Sequence, residues 1–476
     1  MKNNLPNFHD HFSDWYNTVV YEAELSDHAP VRGCMVIRPY GYAIWENMKQ
    51  VLDAEFKAVG VQNAAFPLLI PQSFIQKEAD HIEGFAPELA VVTHAGGKPL
   101  EESLVVRPTS ETIIHHMFGQ WMRSWRDLPI KINQWCSVVR WEKRPRPFLR
   151  TTEFWWQEGH TAHATKEEAS KDALKMHKIY QNFMQNHLAI PVIAAEKPSH
   201  ERFAGALHTY TLEAFMPDAK ALQMGTSHHL AQSFAQSFDM KFQDKEGKLA
   251  LPHLTSWGVT TRMIGALIMC HGDDNGLKMP PKIAPTQVVI VPILKGSADT
   301  QETVLQATRK MEKTLRESNV RVLVDDDTAQ TPGAKFYKWE LKGVPVRIEI
   351  GPRDLEKHTC VLVNRIDRNK TICEWSNLAC MVKEKLHEIQ EQLFHNAQAR
   401  MKAQWKISEE GLDVLGPQLA AGGVFFQVGW SGDDSAIEAL KKYSGTIRCI
   451  LPEKLCEKCF YTGQPSKYDI LIAKSY

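Results

Sequence analysis

No run of about 18 uninterrupted apolar residues occurs in the chain, so a membrane-spanning helix is not expected. Net charge is missing too. The 56 basic side chains are balanced by 56 acidic ones, which excludes the blanket attraction of a basic arm for polyanions and leaves only a local patch to read one. The nine cysteines are odd in number and irregularly spaced, which excludes a disulfide framework of the secreted kind and points to a reducing compartment. The opening stretch, Met1 to Asp10, has neither an apolar segment nor a small-residue cleavage site. There is no internal repeat and no low-complexity tract. These absences together predict a cytoplasmic protein with no membrane partner. What is present is an ordinary globular composition, 43% apolar and 24% charged over 476 residues. At roughly 100 to 200 residues per domain, that length holds about three compact units.

Ile44, Met48, Val51, Leu52, Phe56 and Val59 recur at helical spacing and Gly60 is placed to end the helix. Val61 to Pro71 is apolar, with prolines that only an edge or interface strand tolerates. Ile130–Glu142 and Thr152–Glu158 alternate like two strands joined by a loop, and Leu254–Thr261 reads as a strand leading into a helix over Met263–Cys270. The first unit is therefore expected to be an antiparallel sheet with helices around it. Gly272 to Pro285, with three prolines, breaks both periodicities and marks a boundary. Beyond it, strands at Val288–Ile293, Val320–Val324, Val344–Ile350 and Thr359–Asn364 alternate with helical patterns, as in a compact α/β domain. A long helix carrying Leu378, Val382, Leu386, Ile389 and Leu393 on one face leads into a last unit. The expected division is 1–283, 284–400 and 401–476.

Arg140 and Glu142 fall two apart in an apparent strand and so point the same way, either as a surface ion pair or into one site. The loop that follows is crowded with Lys143, Arg144, Arg146 and Arg150 and stiffened by Pro145 and Pro147, and beyond it Phe154 and Trp156 alternate with Glu153 and Trp155. A basic hairpin with aromatic rings suits a nucleotide, since cations meet phosphates and a ring stacks on a base. Arg107-Pro108-Thr109-Ser110-Glu111-Thr112 precedes a helix expected over Ile113–Trp125 and reads alternatively as a plain N-cap. Gln223 to His229 sets small donors and paired histidines around a glycine, either an ordinary turn or, with carboxylates nearby, a metal site.

In order and in density, these segments resemble the signature motifs of class II aminoacyl-tRNA synthetases, and specifically the prolyl-tRNA synthetases of the archaeal and eukaryotic type. The resemblance runs from Val31-Arg32-Gly33-Cys34-Met35-Val36-Ile37-Arg38-Pro39-Tyr40-Gly41 through the helix and strand ending at Pro67, Arg107 to Thr112, and the hairpin Val139 to His160. It continues through Gln223 to His228, Ser256 to Arg262, His271 to Pro281, Lys335 to Arg347, Ile350 to Asp354 and the tail Ala473 to Tyr476. It implies an α/β and α+β multidomain protein: an antiparallel-sheet catalytic domain, an α/β anticodon-binding domain and a small α+β C-terminal domain. The implied activity is ligation of L-proline to tRNA(Pro) through a prolyl-adenylate, with ATP and Mg2+ as cofactors and a homodimer as the working form.

By the same resemblance Arg140 and Arg262 are the catalytic arginines. Thr109, Glu111, Arg140 and His228 form the proline pocket, with Glu111 meeting the secondary ammonium. Arg140, Glu142, Arg150, Thr151, Phe154, Gln223, Thr226, Thr260 and Arg262 bind ATP, Phe154 stacking on adenine. Lys143, Arg144 and Arg146 steer the acceptor end of the tRNA, while Glu340, Arg347 and Arg353 contact the anticodon. The tail ending at Tyr476 is expected near the active site. About 65 residues separate Glu158 from Gln223, too few for an editing insertion. The pattern departs from the family in the last unit, where four cysteine ligands are often found: Trp430 to Ala436 has no cysteine, only Cys459 of the Cys456–Cys459 pair falls at a ligand position, and no histidine follows His395. Zinc is therefore not expected, and Leu451, Leu455, Ile470 and Ile472 are the candidate core instead. Two alternatives remain open at this level: a class II enzyme for threonine, serine, glycine or histidine, and a non-catalytic tRNA-binding paralogue, which would have lost Arg140 or Arg262.

Overall fold

The structure is a computed structural model that describes residues 5–76 and 89–476. Helix α1 (Pro39–Ala58) begins with proline in its first turn, where a missing N–H is harmless, and Gly60, at φ +86°, ends it in the left-handed region that glycine favours. Its stripe of Ile44, Met48, Leu52 and Phe56 is buried in the main core, as the spacing predicts. Of the apolar stretch Val61–Pro71 only β1 (Gln62–Asn63) and Leu69–Pro71 are strands, the latter in a separate three-stranded sheet with Ala90–Ala95 and Lys98–Val106.

The central sheet continues through helix α2 (Glu111–Trp121), β2 (Ile130–Val139), β3 (Glu153–His163), helix α3 (Lys166–Asn186), β4 (Ile193–Glu196), β5 (His208–Phe215), β6 (Ala221–Ala231), β7 (His253–Thr260) and helix α4 (Arg262–His271). Three expectations are corrected here. Strand β2 stops at Val139, so Arg140 and Glu142 lie beyond it, although the Arg140 N–H still bonds Thr152 O at 2.8 Å and prolongs the hairpin. Helix α2 stops at Trp121, and Trp125 opens a separate short turn capped by Ser124. Gln223 to His229 is the interior of strand β6, hydrogen-bonded on both sides, with no turn in it.

A second sheet holds β8 (Val288–Pro292), β9 (Val322–Val324), β10 (Val346–Ile350), β11 (Thr359–Asn364) and β12 (Lys370–Glu374) in the order β9-β8-β10-β11-β12. The first three are parallel and the last two antiparallel, so the sheet is mixed, and helices α5 (Ala298–Glu317), α6 (Pro332–Leu341) and α7 (Pro352–Lys357) lie between its strands in the chain. Helix α8 (Leu378–Gln404) then crosses back to the first unit. Its buried face includes Val382, Leu386, Ile389, Leu393 and Met401.

The final strands, β13 (Trp405–Ile407), β14 (Phe425–Trp430), β15 (Thr446–Ile450) and β16 (Tyr468–Ala473), do not make a sheet of their own. They extend the central sheet, which among the described residues runs β13-β14-β16-β15-β4-β5-β6-β7-β3-β2-β1. The junction is one rung, Ile450 against Glu196, backed by buried ions: the Glu213 carboxylate on β5 is met by Lys197 at 3.0 Å and by Arg448 on β15 at 3.0 Å. Ile470 and Ile472 are fully buried as expected, but Leu451 is only half-buried and Leu455 is 57% exposed, because it precedes the last strand in an irregular loop.

The proline-rich segment from Gly272 to Pro285 is not slack. Leu277, Met279, Ile283 and Ala284 are buried in the main core, and the N–H groups of Leu277 and Met279 bond the carbonyls of Leu341 and Gly343 across the junction. Asp273 meets Arg365 at 2.7 Å and Lys278 at 3.0 Å. Burial alone would raise the Asp273 carboxyl, but hydrogen bonds and charge from Arg365 and Lys278 prevail and hold it at about 2, below its ordinary 3.8. A depressed acid stabilises the fold above its unfolded value and loses that contribution as pH falls through the folded one. Replacing Arg365 by Met should therefore lower stability to urea at pH 7 by about 1.5 to 3 kcal/mol, since it removes a charged two-bond fork and leaves a partly buried carboxylate with Lys278 alone. The gap from wild type should stay constant down to about pH 4 and shrink below it. An unchanged urea midpoint at pH 7 would reduce the pair to a surface contact.

Candidate active site

The hairpin β2–β3 supplies one wall. Its register sets Val138 opposite Phe154, Cys136 opposite Trp156 and Gln134 opposite Glu158, so period two brings Phe154, Trp156, Glu158 and His160 onto one face. The turn Val31–Cys34 braces the loop end of the hairpin: Gly33, at φ +84°, lies so close to Thr152 that an added Cβ would sit 2.3 Å from its hydroxyl, and the Thr152 N–H bonds Gly33 O at 2.8 Å. Only glycine fits there.

The second wall is the entry to α2. Ser110 occupies the N-cap but its side chain makes no capping bond; the hydroxyl donates instead to Glu158 Oε1 at 2.6 Å. The plain N-cap reading is thus corrected, and the helix start is tied across to β3. The Thr109 hydroxyl donates to Glu111, which is 4% exposed. Strands β6 and β7 form the floor, and α4 presents Arg262 in its first turn.

These surfaces enclose a cleft of about 470 Å³. Every residue nominated above for catalysis, proline or ATP lines it: Thr109, Glu111, Arg140, Glu142, Arg150, Thr151, Phe154, Gln223, Thr226, His228, Thr260 and Arg262. The Arg140 Nε donates to Pro108 O at 2.9 Å and its guanidinium lies 5.5 Å from the Phe154 ring and 5.4 Å from the Trp156 ring, which fixes its plane. Arg262 bonds Leu149 O at 3.4 Å and Gln223 O at 3.3 Å. Burial first, then the charges of Arg150 and Arg140, pull its guanidinium down to about 10. Guanidiniums that repel one another across a cleft await an anion. His228 bonds the Thr209 hydroxyl through Nδ1 at 3.1 Å and packs on Phe203; burial takes it down to about 4, so it is neutral near pH 7.

The basic loop is divided. Lys143 and Arg144 are exposed. Arg146 is not free in the same way: its guanidinium lies 4.8 Å from the Tyr16 ring and 5.4 Å from that of Tyr476. The tail is fastened beside it, with the Ala221 N–H bonded to Lys474 O, the Tyr476 hydroxyl to Asp218 and the Arg150 guanidinium to Tyr476 O at 3.3 Å. In the second sheet, Glu340 and Arg347 line one pocket of about 190 Å³, whereas Arg353 stands exposed on α7 outside it. The sequence reading missed Arg365, Arg368 and Lys370, which complete that pocket. In the main cleft it missed Glu158, His160, Phe203 and Ser256. The alternation through Phe154 and Trp156 carried the signal for the first two.

Two family models match the chain: "tRNA synthetase class II core domain (G, H, P, S and T)" over residues 93–271 and "Anticodon binding domain" over residues 287–385. A proline–tRNA ligase of Acetoanaerobium sticklandii is 47% identical, the alignment covering 99% of this chain and 98% of the relative. One from Chloroherpeton thalassium is 50% identical over 98% of each. A chloroplastic/mitochondrial proline–tRNA ligase of Arabidopsis thaliana is 50% identical over 98% of this chain and 87% of that protein.

Proposed function

This chain belongs to the proline–tRNA ligases of class II, and from that premise we propose how its cleft joins proline to tRNA(Pro). The observation that carries the reading is the convergence of residues from separate stretches of chain on one cleft with cations at its walls and carboxylates at its base. In the first step a carboxylate oxygen of proline attacks the α-phosphorus of ATP, and the bond to the β,γ-pyrophosphate breaks. Negative charge gathers on the α-phosphoryl oxygens. Arg140, its plane fixed by Pro108 O, Phe154 and Trp156, is pre-aimed at that charge, and Arg262 meets the nucleotide at the other side. Phe154 takes the adenine; Arg150, Thr151, Gln223, Thr226 and Thr260 hold the nucleotide.

Proline carries a secondary ammonium with two N–H groups on a compact ring. Glu111, oriented by the Thr109 hydroxyl, accepts them, and neutral His228 closes the pocket without adding a repelling charge. In the second step the terminal ribose hydroxyl of the tRNA attacks the activated carbonyl and AMP leaves. Lys143 and Arg144 guide the acceptor end, and Arg146 holds the loop against Tyr16 and Tyr476. Glu340 and Arg347 contact the anticodon from their shared pocket, and Arg353 meets the backbone beyond it. The acidic side chains in the cleft also fit a cation: Glu111, Glu158 and Glu201 are held by Thr109, Ser110 and Lys197, and Glu142, bonded at one oxygen by the Arg144 N–H at 2.8 Å, is the carboxylate that would share in holding Mg2+, which needs one or two carboxylates plus substrate oxygens. Bound there, Mg2+ would supply neutralisation of phosphate charge.

The division 1–283, 284–400 and 401–476 serves as catalytic, anticodon-binding and C-terminal units, and the family matches at 93–271 and 287–385 support its first boundary. The chain is read as the archaeal and eukaryotic type without an editing insertion, since α3, β4 and β5 account for the stretch between Glu158 and Gln223. A pocket sorting by size alone gains about 1 to 3 kcal/mol per methylene, so alanine is rejected only modestly. No helix among the described residues is long and apolar enough to cross a membrane, and the cytoplasmic reading rests on the cysteine pattern. A two-fold dimer is supported by Leu68, Leu69, Val91 and Trp121, all exposed beside the three-stranded sheet. Against zinc stands the absence of cysteine from Trp430–Ala436; in the structure the Cys459 sulfur accepts from the Thr462 N–H at 3.5 Å, and burial raises its thiol less than Ser431, Thr462 and Tyr461 lower it, to about 7.

Proline should be the one amino acid giving strong ATP–pyrophosphate exchange, and faster exchange with threonine or serine would sink the assignment. In that assay Arg140→Lys, which keeps charge but loses the planar fork, should lose about a hundredfold in rate with folding intact, and a loss below about threefold would return Arg140 to a structural ion pair. Light scattering at micromolar concentration should give twice the chain mass; a monomer refutes the dimer. Elemental analysis of protein purified without chelators should find no stoichiometric zinc, and one zinc per chain lost on mutating Cys456 or Cys459 would require a rearranged site.

A further inference from the structure

Part of the cleft wall is carried by a loop rather than by the sheet. Between β4 and β5 the chain makes a short helical turn at Ser199–Glu201 and sets Glu201 and Phe203 on the cleft lining. Such a loop keeps one shape only where it is tied down. Its base is closed locally: the Lys197 N–H bonds Thr209 O at 2.8 Å, the Leu207 N–H bonds His229 O at 2.8 Å, and the Phe203 N–H bonds the Thr209 hydroxyl at 3.0 Å, the same hydroxyl that meets His228. Near the tip, Arg202 makes a longer contact to Glu196 at 3.4 Å and the His200 ring lies edge-on to Trp430 of β14 with centroids 6.3 Å apart. Glu201 itself is held from elsewhere.

Its holder is the buried ammonium of Lys197. An ammonium has three N–H groups, and this one meets three acceptors: Glu201 Oε2 at 2.9 Å, Glu213 Oε1 on β5 at 3.0 Å and the backbone carbonyl of Arg448 on β15 at 2.7 Å. The acceptors come from the pocket loop, the central sheet and the C-terminal unit. The third is available because β15 carries a bulge. Its pairing with β16 steps from Ile447 opposite Ile472 to Cys449 opposite Leu471, so Arg448 is the extra residue. Left out of that ladder, its carbonyl serves Lys197, while its guanidinium reaches Glu213 through Nε at 3.2 Å and Nη2 at 3.0 Å. Neither Lys197 nor Arg448 lines the cleft.

We propose that Lys197 and Arg448 are positioning residues: the bulge of the C-terminal unit fixes the Lys197 ammonium, and that ammonium fixes Glu201 and its loop as a wall of the proline pocket. The inference rests on the assignment of this cleft to proline. A lysine with one acceptor moves freely on its four-carbon stem, whereas a buried one with three acceptors from three stretches of chain is held in one place. A pocket wall gains its precision from such support, since small misplacements of a binding group weaken the grip on the substrate. The C-terminal unit, which brings no residue to the cleft lining, thereby takes part in binding the amino acid.

The test uses the full-length enzyme and the variants Lys197→Met, Arg448→Met and Glu201→Gln, in proline-dependent ATP–pyrophosphate exchange and in backbone hydrogen exchange read by mass spectrometry. Lys197→Met should raise KM for proline about tenfold, with kcat and KM for ATP within about threefold of wild type. Arg448→Met, a change in the last unit, should raise KM for proline about threefold or more. In both, the amides of residues 199–207 should exchange faster without proline while those of β6 and β7 keep the wild-type rate. A role in stability alone would lower the urea midpoint and leave proline KM and loop exchange unchanged, and that result overturns the proposal. Arg448→Met matching wild type in both readouts, with Lys197→Met altered, overturns the part assigned to the C-terminal unit. Should a buried variant fail to fold, Glu201→Gln, at a partly exposed position, decides: faster exchange over 199–207 supports the tether, and wild-type exchange overturns it. Wild-type enzyme inert towards proline would instead overturn the functional reading itself, and loop exchange, which needs no substrate, keeps the two failures apart.

Discussion

Ser110, Gln134, Cys136 and His160 all converge on the carboxylate of Glu158, and a buried anion short of donors is costly enough that these contacts dictate how the cleft is assembled. They tie the entry of α2 to the middle of the β2–β3 hairpin, a join shared by the Val139 N–H on Arg107 O at 3.1 Å and by Arg140 Nε on Pro108 O at 2.9 Å. Once that join is made, the positions of Glu111 and Thr109 on one side and of Arg140, Phe154 and Trp156 on the other follow from helix and strand geometry. The brace at Gly33 works on the loop end of the same hairpin through Thr152, so the wall that carries Arg140, Phe154 and Trp156 is held at its end as well as at its middle.

A chain of zero net charge conceals a strongly divided electrostatic surface. The upper cleft gathers Arg140, Arg150 and Arg262, close enough that the last is pulled down by its neighbours, whereas the base gathers Glu111 and Glu158. One ligand with a triphosphate at one end and an adjacent ligand with an ammonium at the other would each find the matching zone. The exposed Lys143 and Arg144 lie on the loop between the two hairpin strands, so the cationic zone continues outward to where a polyanion could approach. Composition alone could exclude a generally basic protein but could not locate this division.

Local patterns made much of the architecture legible. The stripe of α1 with Gly60 behind it, the alternating strands and helices of the second sheet, and the apolar face of α8 were all readable because each depends on spacing within a short window. Strand ends were less so, since Arg140 keeps one backbone bond to Thr152 past the end of β2, whereas Glu142, which continues the alternation in sequence, has left the ladder in space. Ser110 was readable as a cap but its hydroxyl goes to Glu158, 48 residues away, and a long-range acceptor leaves no local trace. The same reason hid Arg365, whose partner Asp273 lies in what reads as a linker. The nominated cleft residues came through motif resemblance, and the face of β3 that also holds Glu158 and His160 was implicit in period two.

The fusion of the last strands onto the central sheet has a consequence for how such a chain can be remodelled. The unit built on β8 to β12 is fastened to the rest by side chains and by loop carbonyls, and its sheet ends within itself. It has the attributes of a cassette. The strands from β13 onward lack them: cut away, they would leave β4 as a raw edge inviting aggregation, and would leave Glu213 without Arg448 in an interior that water does not reach. Recombination that exchanges the middle of this chain meets a seam, whereas recombination near residue 404 cuts through a single β-sheet, so the first and last units are bound to be inherited together.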